Sequence, residues 1–375
     1  MKPNVLEVNV DDKGFGGVFS FVMNILNNVD KNKFQIDICA FEDFENQQHL
    51  DQIDKLGSRV YLCASKGNFL LKQFRTCIKY YDVLKKNVYH TVHIHSDVAY
   101  KLLLYALVAK CAGVKNILVH SHSSGVEGRY KKIKLFLQFV TRPILSHLQV
   151  RKLACSQRAS DWMYLPSVSK SKDTVVINNG IDLQKFKYDS KRYTIVRNKL
   201  GIKPEEILIG TVARFSYQKY PEKLLTVFEA AIKQNPNFRL LWVGSGDLEV
   251  EIKERAKRDG VYDKIIFYGN SNQVNDLYQA MDIFVLTSRF EGLCIAAVEA
   301  QASGIPGLYS DRLSGETKLI SNYNVLSIDE SDDRWADSLM KLIGVAKYDS
   351  TKELMDRGFD MQTLVRELTS LYTES

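Results

Sequence analysis

The chain has few of the features that mark secreted, disulfide-bonded or membrane-spanning proteins. Its six cysteines are scattered singly with no C-x-x-C pair, so the sequence predicts reduced thiols in a cytoplasmic protein rather than disulfides or a cysteine-ligated zinc site. The longest unbroken apolar run, Leu102–Ala109, is far shorter than the roughly 20 residues of a membrane-spanning helix. The first residues do not combine a basic segment with an apolar one, and we therefore expect no secretory signal.

Internal repeats and low-complexity segments are also absent, which leaves an ordinary globular protein. The 375 residues are 45% hydrophobic and 25% charged, values that exclude disordered, collagenous and coiled-coil chains. Because a single hydrophobic core stops growing near roughly 250–300 residues, this length predicts two domains.

The formal net charge of +7 is distributed unevenly along the chain. Residues 1–180 carry a net charge of +10 and residues 181–375 a net charge of −3, which suggests two domains with different partners. No nucleic-acid recognition motif accompanies the positive charge, so nucleic acid is not an expected partner.

Positive charge is densest in residues 129–158, where basic and apolar residues alternate at helical spacing. The basic residues are Arg129, Lys131, Lys132, Lys134, Arg142, Arg151, Lys152 and Arg158, and the apolar ones are Leu135, Phe136, Phe139, Val140, Ile144 and Leu145. A basic amphipathic helix of this kind can lie on an anionic membrane surface. An ordinary helix with its apolar face in the core fits about as well, because Pro143 interrupts the pattern.

Short apolar segments alternate with helix-length periodic segments through most of the chain. The predicted strands are Asn4–Val10, Gln35–Phe41, Arg59–Leu62, Thr91–His95, Asn116–His120, Lys152–Cys155, Thr174–Ile177, Ile207–Val212, Phe238–Val243, Ile265–Tyr268 and Ile283–Leu286. The predicted helices include Val18–Val29, Lys101–Ala112, Lys223–Gln234, Leu248–Arg258, Val274–Ala280 and Ile295–Ala302. This alternation of continuously apolar strands with helices predicts α/β architecture with two doubly wound parallel sheets. The polar stretch near residues 180–205 marks the boundary between them.

Several loops that follow predicted strands carry residues suited to a phosphate-bearing ligand. Gly14-Phe15-Gly16-Gly17 precedes a helix, where glycine lets backbone N–H groups approach an anion, although a plain tight turn has the same pattern. Arg214 and Lys219 follow the strand Ile207–Val212, at the edge where open α/β sheets bind ligands. Two fixed cations there can neutralise a diphosphate, and a pair of ordinary surface cations is the alternative.

Two further turns bring small or polar residues to the same edge of the second sheet. Gly244 and Gly246 follow one strand and Asn270 follows the next, where a base or a ribose can press on the backbone. Each of these turns alone is also typical of an ordinary strand-to-helix connection.

The most informative stretch is residues 288–306, which contains Glu291 and Glu299. Glu291 and Gly292 precede a helix whose first-turn amides, including those of Leu293 and Cys294, form a ready anion site. Glu299 lies two turns on among alanines and valine, where a carboxylate is costly without a partner such as a ribose hydroxyl. A salt bridge to a neighbouring helix is the alternative.

Together these motifs resemble the family 4 retaining glycosyltransferases of GT-B fold. Glu291 and Glu299 form an E-G-x6-E pattern followed by Ala300-Gln-Ala-Ser-Gly-Ile-Pro306, similar to the paired-glutamate signature of that family. Other pieces agree in order: Gly14-x-Gly16-Gly17, Ile177–Asp182, Arg214 with Lys219, Gly244-x-Gly246, and Asp276–Asp282. The resemblance covers nearly the whole chain and is closest to the branch that builds bacterial capsule and exopolysaccharide.

The resemblance implies a fold and a division of labour between the domains. It implies two Rossmann-like domains facing across a cleft, an acceptor-binding domain of residues 1–185 and a nucleotide-sugar-binding domain of residues 186–359. A C-terminal helix of about 360–375 is expected to pack back onto the first domain. The expected donor is a UDP-sugar, and the expected acceptor is a lipid-diphosphate-linked glycan on the inner face of the cell membrane.

The resemblance also implies roles for individual residues. Arg214 and Lys219 would hold the donor diphosphate, and Glu299 the ribose. The donor sugar and its phosphates would be held by Glu291 with the amides of Gly292 and Leu293, and the donor site would further include Gly16, Gly17, Gly244, Gly246, Asn270 and Cys294. A histidine after a strand of the first domain is expected near the reacting face of the sugar. His120 and His122 are both candidates, and His122 is favoured because it lies further toward the carboxyl end of its strand.

Three positions depart from the family pattern without removing a charged group. Tyr220-Pro221 follow Lys219 where the family has Gly or Asn, Cys294 replaces a small residue or proline, and Asn178 replaces proline.

Two H-x-H pairs keep a metal-dependent function open. His93 with His95, and His120 with His122, would each share a face of a strand and could chelate zinc, as in a zinc hydrolase. No third ligand motif stands out, and the chain has no D-x-D, the metal-diphosphate clamp of the other main glycosyltransferase fold. We therefore expect no metal and no cofactor. Beside a metal-independent hexosyltransferase, the sequence leaves open an epimerase of the same fold and an inactive partner subunit.

Overall fold

The computed structural model describes residues 2–12, 17–126 and 130–373, apart from the side chain of Phe69. The chain forms two compact units, residues 1–180 with 361–375 and residues 181–360. The boundary between the units lies between Gly180 and Ile181, whereas the sequence predicts it after residue 185. The last residues of the chain, which follow the second unit, are part of the first.

Within the described residues, the first unit contains a seven-stranded sheet in which neighbouring strands are parallel. Its strands are β1 (Asn4–Val8), β2 (Gln35–Ala40), β3 (Val60–Leu62), β4 (Thr91–Ser96), β5 (Asn116–Ser121), β6 (Arg151–Ala154) and β7 (Thr174–Val176). Its first helices are α1 (Gly17–Asn28), α2 (Gln47–Lys55), α3 (Phe69–Lys86), α4 (Ala99–Ala112), α5 (Lys131–His147), α6 (Gln157–Met163) and α7 (Pro166–Ser169). The spatial order β3-β2-β1-β4-β5-β6-β7 is that of a doubly wound Rossmann-like sheet.

The second unit repeats this architecture with a six-stranded parallel sheet in the order β10-β9-β8-β11-β12-β13. Its strands are β8 (Ile207–Val212), β9 (Phe238–Val243), β10 (Ile265–Gly269), β11 (Ile283–Leu286), β12 (Gly307–Ser310) and β13 (Tyr323–Leu326). Its helices are α8 (Leu183–Phe186), α9 (Ser190–Lys199), α10 (Pro221–Gln234), α11 (Glu249–Arg258), α12 (Val274–Ala280), α13 (Ile295–Ala302), α14 (Asp332–Met340) and α15 (Thr351–Asp356). The chain then continues into α16 (Met361–Thr373), which belongs to the first unit.

All the predicted strands are present, and two further strands at one edge of the second sheet escape prediction. The first of them, β12, has four residues that begin with glycine. The second, β13, exposes Asn324 and Val325 at the edge of the sheet and so lacks a continuous apolar run. A strand of only four residues carries little periodic signal, and the edge strand β13 carries less than a strand buried on both faces.

Helix α5 continues through Pro143, where the sequence predicts an interruption. The guanidinium group of the preceding residue, Arg142, donates hydrogen bonds to the carbonyl oxygens of Asp161 at 2.7 Å and Tyr164 at 2.9 Å. These contacts tie the helix to the segment after β6. They offset part of the cost, about 3 kcal/mol, of a proline inside a helix.

Each face of the first sheet is covered by helices. One face packs against α3, α4 and α5 around a largely apolar core, in which the buried carboxylate of Asp37 accepts a hydrogen bond from Tyr89. The other packs against α1, α2 and α16, and there polar side chains interrupt the apolar core: Glu7, His93, His95 and His120 are all buried. Because buried polar groups are costly unless they are hydrogen-bonded, these residues must form a mutually satisfied network.

Candidate functional site

The second unit brings charged residues together where two loops leave the carboxyl edge of its sheet. The strand order reverses around β8 and β11, which are hydrogen-bonded neighbours. Arg214 and Lys219 lie in the loop after β8, and Glu291 lies in the loop after β11. This reversal is a topological switch point, where open α/β sheets bind their ligands. The predicted cations and the predicted carboxylate therefore lie at one edge of one sheet.

Lys219 and Glu291 form an ion pair that joins the two loops. The Nζ atom of Lys219 lies 2.6 Å from Oε1 of Glu291, and the two side chains are only 14% and 6% exposed. Burial lowers the pKa of Lys219, but the neighbouring Cys294 and Glu291 raise it by more, so the pKa lies above its ordinary value. The ammonium group therefore stays charged in a site that is largely shielded from water.

Gln218 and Arg289 complete this site, and the motif analysis missed both. Gln218 donates from Nε2 to Oε2 of Glu291 at 3.1 Å, and its Oε1 accepts a 3.4 Å bond from the exposed Arg214. The guanidinium group of Arg289 stacks on the ring of Tyr220 at 3.5 Å. The backbone N–H of Arg289 also donates to the carbonyl of Gln218 at 2.8 Å, so the two loops are held together at several points. Gln218 directly precedes Lys219 in the loop after β8, and this position was the signal by which the sequence could have indicated it.

The loop after β9 packs so closely on the loop after β8 that it requires glycine. Gly244 and Gly246 have φ values of +136° and +156°. A Cβ atom at these positions would lie 2.3 Å and 2.6 Å from carbonyl oxygens of the loop after β8. Both glycines therefore have a structural role, which does not depend on a ligand. Asn270, after β10, donates to the hydroxyl of Ser245 in the same loop at 2.9 Å.

Helix α13 begins at Ile295, as the sequence predicts, directly after Gly292, Leu293 and Cys294. Cys294 is the N-cap residue, and its side chain makes no capping hydrogen bond. The first backbone N–H groups of a helix have no partner within the helix, and the helix dipole is positive at this end. The start of α13, next to the Lys219–Glu291 pair, is therefore suited to phosphate oxygens.

Glu299 lies further along α13 and is partly buried. Its Oε2 atom accepts a hydrogen bond from the hydroxyl of Tyr278 at 3.0 Å, so its partner is a tyrosine of α12 and not the salt bridge that the sequence left open. Burial raises the pKa of Glu299 to about 7, although the bond from Tyr278 and the charge of Lys185 oppose this. Near neutral pH the carboxyl group therefore exists in both protonation states.

In the first unit, three neighbouring strands bring four histidines together with a carboxylate. In the parallel register Glu7 of β1 lies opposite His93, and His95 of β4 lies opposite His120. His122 follows β5 and is partly exposed, whereas the other four side chains are fully buried. The motif analysis missed Glu7, although a lone carboxylate in the apolar strand Val5-Leu-Glu-Val8 is a signal in itself.

These side chains form one hydrogen-bonded network. The Oε2 atom of Glu7 lies 2.6 Å from Nε2 of His95, whose Nδ1 lies 2.8 Å from Nε2 of His122. The same Oε2 lies 3.1 Å from Nδ1 of His93, whose Nε2 lies 3.1 Å from Nδ1 of His120. The hydroxyl of Tyr372, on α16, donates to Oε1 of Glu7 at 2.6 Å. Two branches therefore diverge from a single carboxylate.

The same histidines are the candidate metal ligands among the described residues. One nitrogen from each of His93, His95 and His120 lies within 4.8 Å of the others. Both ring nitrogens of His93 and of His95 are already engaged in the network with Glu7, so a metal ion would have to displace existing hydrogen bonds. The described side chains form a hydrogen-bonded cluster.

Two predicted positions fall at or beyond the limits of the described structure. Gly17 is the exposed first residue of α1. Gly16 and the basic residue Arg129 lie outside the described residues.

The outer helices of the first unit expose a large number of apolar side chains. On α5, Phe136 and Phe139 are 65% and 79% exposed, and on α3, Leu70 and Phe74 are 76% and 64% exposed. Both helices pack against α4 and so lie on the same side of the sheet. Of the six apolar residues that the sequence analysis listed for this helix, five are exposed and only Leu145 is fully buried. The alternative of an ordinary helix with its apolar face in the core is therefore wrong for most of this set.

No helix within the described ranges combines the length and the hydropathy that crossing a membrane requires.

Comparison with known proteins agrees with this architecture. Residues 193–351 match the family described as glycosyl transferases group 1. The chain is 29% identical over 366 residues to the "Putative glycosyltransferase EpsF" of Bacillus subtilis, covering 96% of this chain and 94% of that protein. It is 26% identical over 361 residues to the UDP-Gal:alpha-D-GlcNAc-diphosphoundecaprenol alpha-1,3-galactosyltransferase of Escherichia coli, covering 91% and 89% of the two chains.

Solved structures share the fold at low sequence identity. The crystal structure of HepE from Anabaena in complex with UDP and glucose superimposes with a TM-score of 0.79 at 18% identity, covering 99% of both chains. The lipopolysaccharide glycosyltransferase WaaG superimposes with a TM-score of 0.77 at 14% identity, covering 99% of this chain and 100% of that one. These likenesses confirm the predicted GT-B fold.

Proposed function

Because residues 193–351 match the glycosyl transferases group 1, we propose that the chain is a glycosyltransferase and that it catalyses the following reaction. It transfers a hexose or N-acetylhexosamine from a UDP-sugar to a lipid-diphosphate-linked glycan, with retention of the donor's α-configuration, in the synthesis of capsule or exopolysaccharide. The protein works at the cytoplasmic face of the cell membrane. The name of one relative, the Escherichia coli galactosyltransferase, includes both UDP-Gal and a diphosphoundecaprenol-linked acceptor, which supports this choice of substrates.

The observation that carries this proposal is the cationic site at the switch point of the second sheet. Departure of a diphosphate from an anomeric carbon places negative charge on the leaving oxygens. Arg214, Lys219 and the amides at the start of α13 supply fixed positive charge at one sheet edge, which would stabilise this charge without a metal ion. The group 1 match covers these residues.

The remaining donor contacts are assigned by the same chemistry. Glu291, held by Lys219 and Gln218, accepts hydrogen bonds from donor sugar hydroxyls, and Glu299 accepts them from the ribose. No carboxylate is assigned as a nucleophile, so we expect front-face attack by the acceptor within an ion-pair-like state. His122 orients the reacting sugar, as the family resemblance implies.

The acceptor side of the proposal rests on the first unit. Its net positive charge and the exposed apolar side chains of α5 and α3 fit the headgroups and the outer acyl region of an anionic bilayer. A surface of this kind would hold the enzyme where lipid-linked glycans are found.

A thermal-shift experiment tests the donor assignment. The purified protein is incubated in EDTA with UDP, GDP, ADP, UDP-glucose, UDP-galactose, UDP-GlcNAc or UDP-GalNAc. A nucleotide at 100 times its dissociation constant adds roughly 2.7 kcal/mol of stability, and we expect this for the UDP compounds alone.

Two results would contradict the proposal. Equal stabilisation by GDP or ADP would overturn the choice of uridine. A response to zinc in a separate sample without EDTA, together with no response to any nucleotide, would point to the histidine cluster and away from glycosyl transfer. If a UDP-sugar binds, its transfer to a lipid-linked glycan in EDTA tests the absence of a metal requirement.

A further inference from the structure

The buried Glu7 is connected to the partly exposed His122 through a single residue, His95. Glu7 lies in β1 at the centre of the first sheet, His95 lies in the neighbouring β4, and His122 follows β5. The contacts between them are 2.6 Å and 2.8 Å long. The arrangement therefore runs from the core of the unit to its carboxyl edge.

The protons in this branch can be assigned by counting donors and acceptors. The carboxylate of Glu7 can only accept, so Nε2 of His95 carries a proton. A neutral His95 has no proton on Nδ1, so this atom accepts and Nε2 of His122 donates. His122 is then left with an unprotonated Nδ1. A protonated His95 would give the opposite result, because it would donate through both nitrogens.

The electrostatic environment favours the neutral form of His95. Burial lowers its pKa to about 4, the interaction with the neighbouring His93 adds to this effect, and the contact with Glu7 only partly opposes it. Burial alone would raise the pKa of Glu7, but the interaction with His93 and the hydrogen bonds from His93 and His95 hold that pKa well below its ordinary value. Near neutral pH the branch therefore starts from a carboxylate and continues through a neutral imidazole.

The second branch supports the same assignment independently. The hydroxyl of Tyr372 donates to Oε1 of Glu7, so the proton on Nδ1 of His93 faces two acceptors, Oε2 of Glu7 at 3.1 Å and the hydroxyl oxygen of Tyr372 at 3.2 Å. Nε2 of a neutral His93 then accepts from Nδ1 of His120. The remaining nitrogen, Nε2 of His120, is then unprotonated and carries a lone pair. This buried atom has no hydrogen-bond partner among the described residues. One proton on each neutral imidazole thus accounts for the contacts of both branches, with the Nδ1 proton of His93 shared between Glu7 and Tyr372.

We propose that Glu7 and His95 are positioning residues that hold His122 in the tautomer protonated on Nε2. The unprotonated Nδ1 of His122 then accepts a hydrogen bond from a hydroxyl of the reacting sugar. This inference rests on the proposed function, which places His122 at that sugar. It gives the Glu7 carboxylate and the His95 imidazole a role behind His122 that neither the motifs nor the group 1 match, which begins at residue 193, assigns to them.

The tautomer can be measured without any assay of activity. The chain has seven histidines, and long-range 1H–15N correlation spectra of 15N-histidine-labelled protein separate protonated from unprotonated ring nitrogens. His122 is assigned by its loss in His122→Gln. We expect the wild type to show Nε2–H and an unprotonated Nδ1 at pH 7. A proton on Nδ1, or an equal mixture of tautomers, would overturn the proposal.

Kinetic variants test whether the tautomer matters for transfer. His95→Leu removes the acceptor for His122, and we expect kcat to fall on the order of 10-fold or more, with the KM for the donor within about twofold. His95→Gln presents an amide N–H to Glu7 and a carbonyl to His122, so it should recover most of kcat. The matched control, His93→Leu, removes a buried imidazole from the same strand but leaves the first branch intact, and it should keep most of kcat.

The outcomes separate this proposal from the proposed function. Wild-type kcat in His95→Leu, or an equal loss in His93→Leu, would overturn the positioning role while leaving glycosyl transfer established. Absence of transfer by the wild-type protein would overturn the proposed function, whereas the tautomer measurement would still be valid. If His95→Leu does not fold, the spectrum of the wild type and the kinetics of His95→Gln still decide the question.

Discussion

In the second unit the candidate site keeps permanent charges, Lys219 and Arg214, beside the carboxylate of Glu291. In the first unit the carboxylate of Glu7 is surrounded by imidazoles, and burial holds the pKa of three of them, His95, His120 and His122, below the ordinary value. Both sites lie on the central strands of doubly wound sheets with the same order of their first strands. The difference shows that one architecture can present either fixed charge or directional neutral hydrogen bonds.

The physical reason for the difference is whether the nitrogen base beside the carboxylate remains protonated when it is buried. An ammonium or guanidinium group remains charged even when it is largely shielded, because its ordinary pKa is far above neutrality. An imidazole begins near 6.5, so complete burial makes it neutral. Fixed charge suits a leaving diphosphate, and a neutral imidazole with a defined tautomer suits a sugar hydroxyl.

Removing the fixed positive charge of the second unit is expected to have the largest effect on transfer. We expect Lys219→Ala and Arg214→Ala each to lower kcat on the order of 10²–10³-fold, since each removes positive charge from the leaving diphosphate. Lys223→Ala is the matched control, because this nearby lysine pairs with Asp332 at 2.7 Å rather than with the two loops. Turnover near the wild-type rate in a folded Arg214→Ala protein would refute the assignment.

The outer surfaces of the two units offer a second test. Replacing Phe136 and Phe139 together by serine should reduce binding to vesicles that contain anionic lipid about tenfold or more, because both rings are mostly exposed on the basic helix α5. Val250→Ser is the control, because this side chain is 74% exposed on α11 of the second unit. Co-sedimentation with vesicles is the measurement. Unchanged binding by the double variant, or an equal loss in the control, would contradict attachment through α5.

The smallest expected effect is on stability, at Glu299. This carboxyl group titrates near neutral pH, unlike the permanently charged Lys219 and Arg214 of the same unit. Its pKa in the folded protein is raised to about 7, so the folded state holds a proton that the unfolded state has released above its ordinary pKa near 4.5. The contribution of Glu299 to stability is therefore most favourable below about pH 4.5, and it declines as the pH rises to about 7. Above pH 7 we expect Glu299→Gln to be more stable than the wild type by about 1 kcal/mol, since Tyr278 can still donate to the amide oxygen.

Urea unfolding of the wild type and the variant at pH 5 and pH 8 measures this difference. The gap in the free energy of unfolding should be larger at pH 8 than at pH 5. A gap that does not change with pH would contradict the raised pKa. In the same proteins, UDP should bind a few-fold more weakly to Glu299→Gln, because the ribose loses an ionised acceptor.

Much of the second site could be predicted because it follows from the ends of parallel strands. Continuously apolar segments identified β8 and β11, and residues that follow neighbouring parallel strands meet at one edge. Arg214, Lys219 and Glu291 could therefore be placed together from the order of the motifs. The partners Gln218 and Tyr278 could not, because their contacts depend on side-chain orientations that periodicity does not report.

The sequence predicted the two histidine pairs of this network but not their contacts with Glu7 and Tyr372. Each H-x-H pair indicates two side chains on one face of a strand, which left open whether zinc or mutual hydrogen bonding explains them. The register that sets Glu7 opposite His93, and His95 opposite His120, is a property of the assembled sheet. Tyr372 reaches Glu7 only because α16 packs on the first unit, far along the chain from β1.

The sequence by itself determined the alternation of strands and helices, the two-domain organisation, the excess of positive charge in residues 1–180 and the residue types at the strand ends. These features follow from local periodicity and composition, which each segment carries independently of the others. Only the tertiary structure decided which charged or polar groups are buried, which partners they have and which protonation states follow. Burial and hydrogen bonding arise between segments distant in sequence, and they convert the same side chain from a charged group in water into a neutral and oriented one in the core.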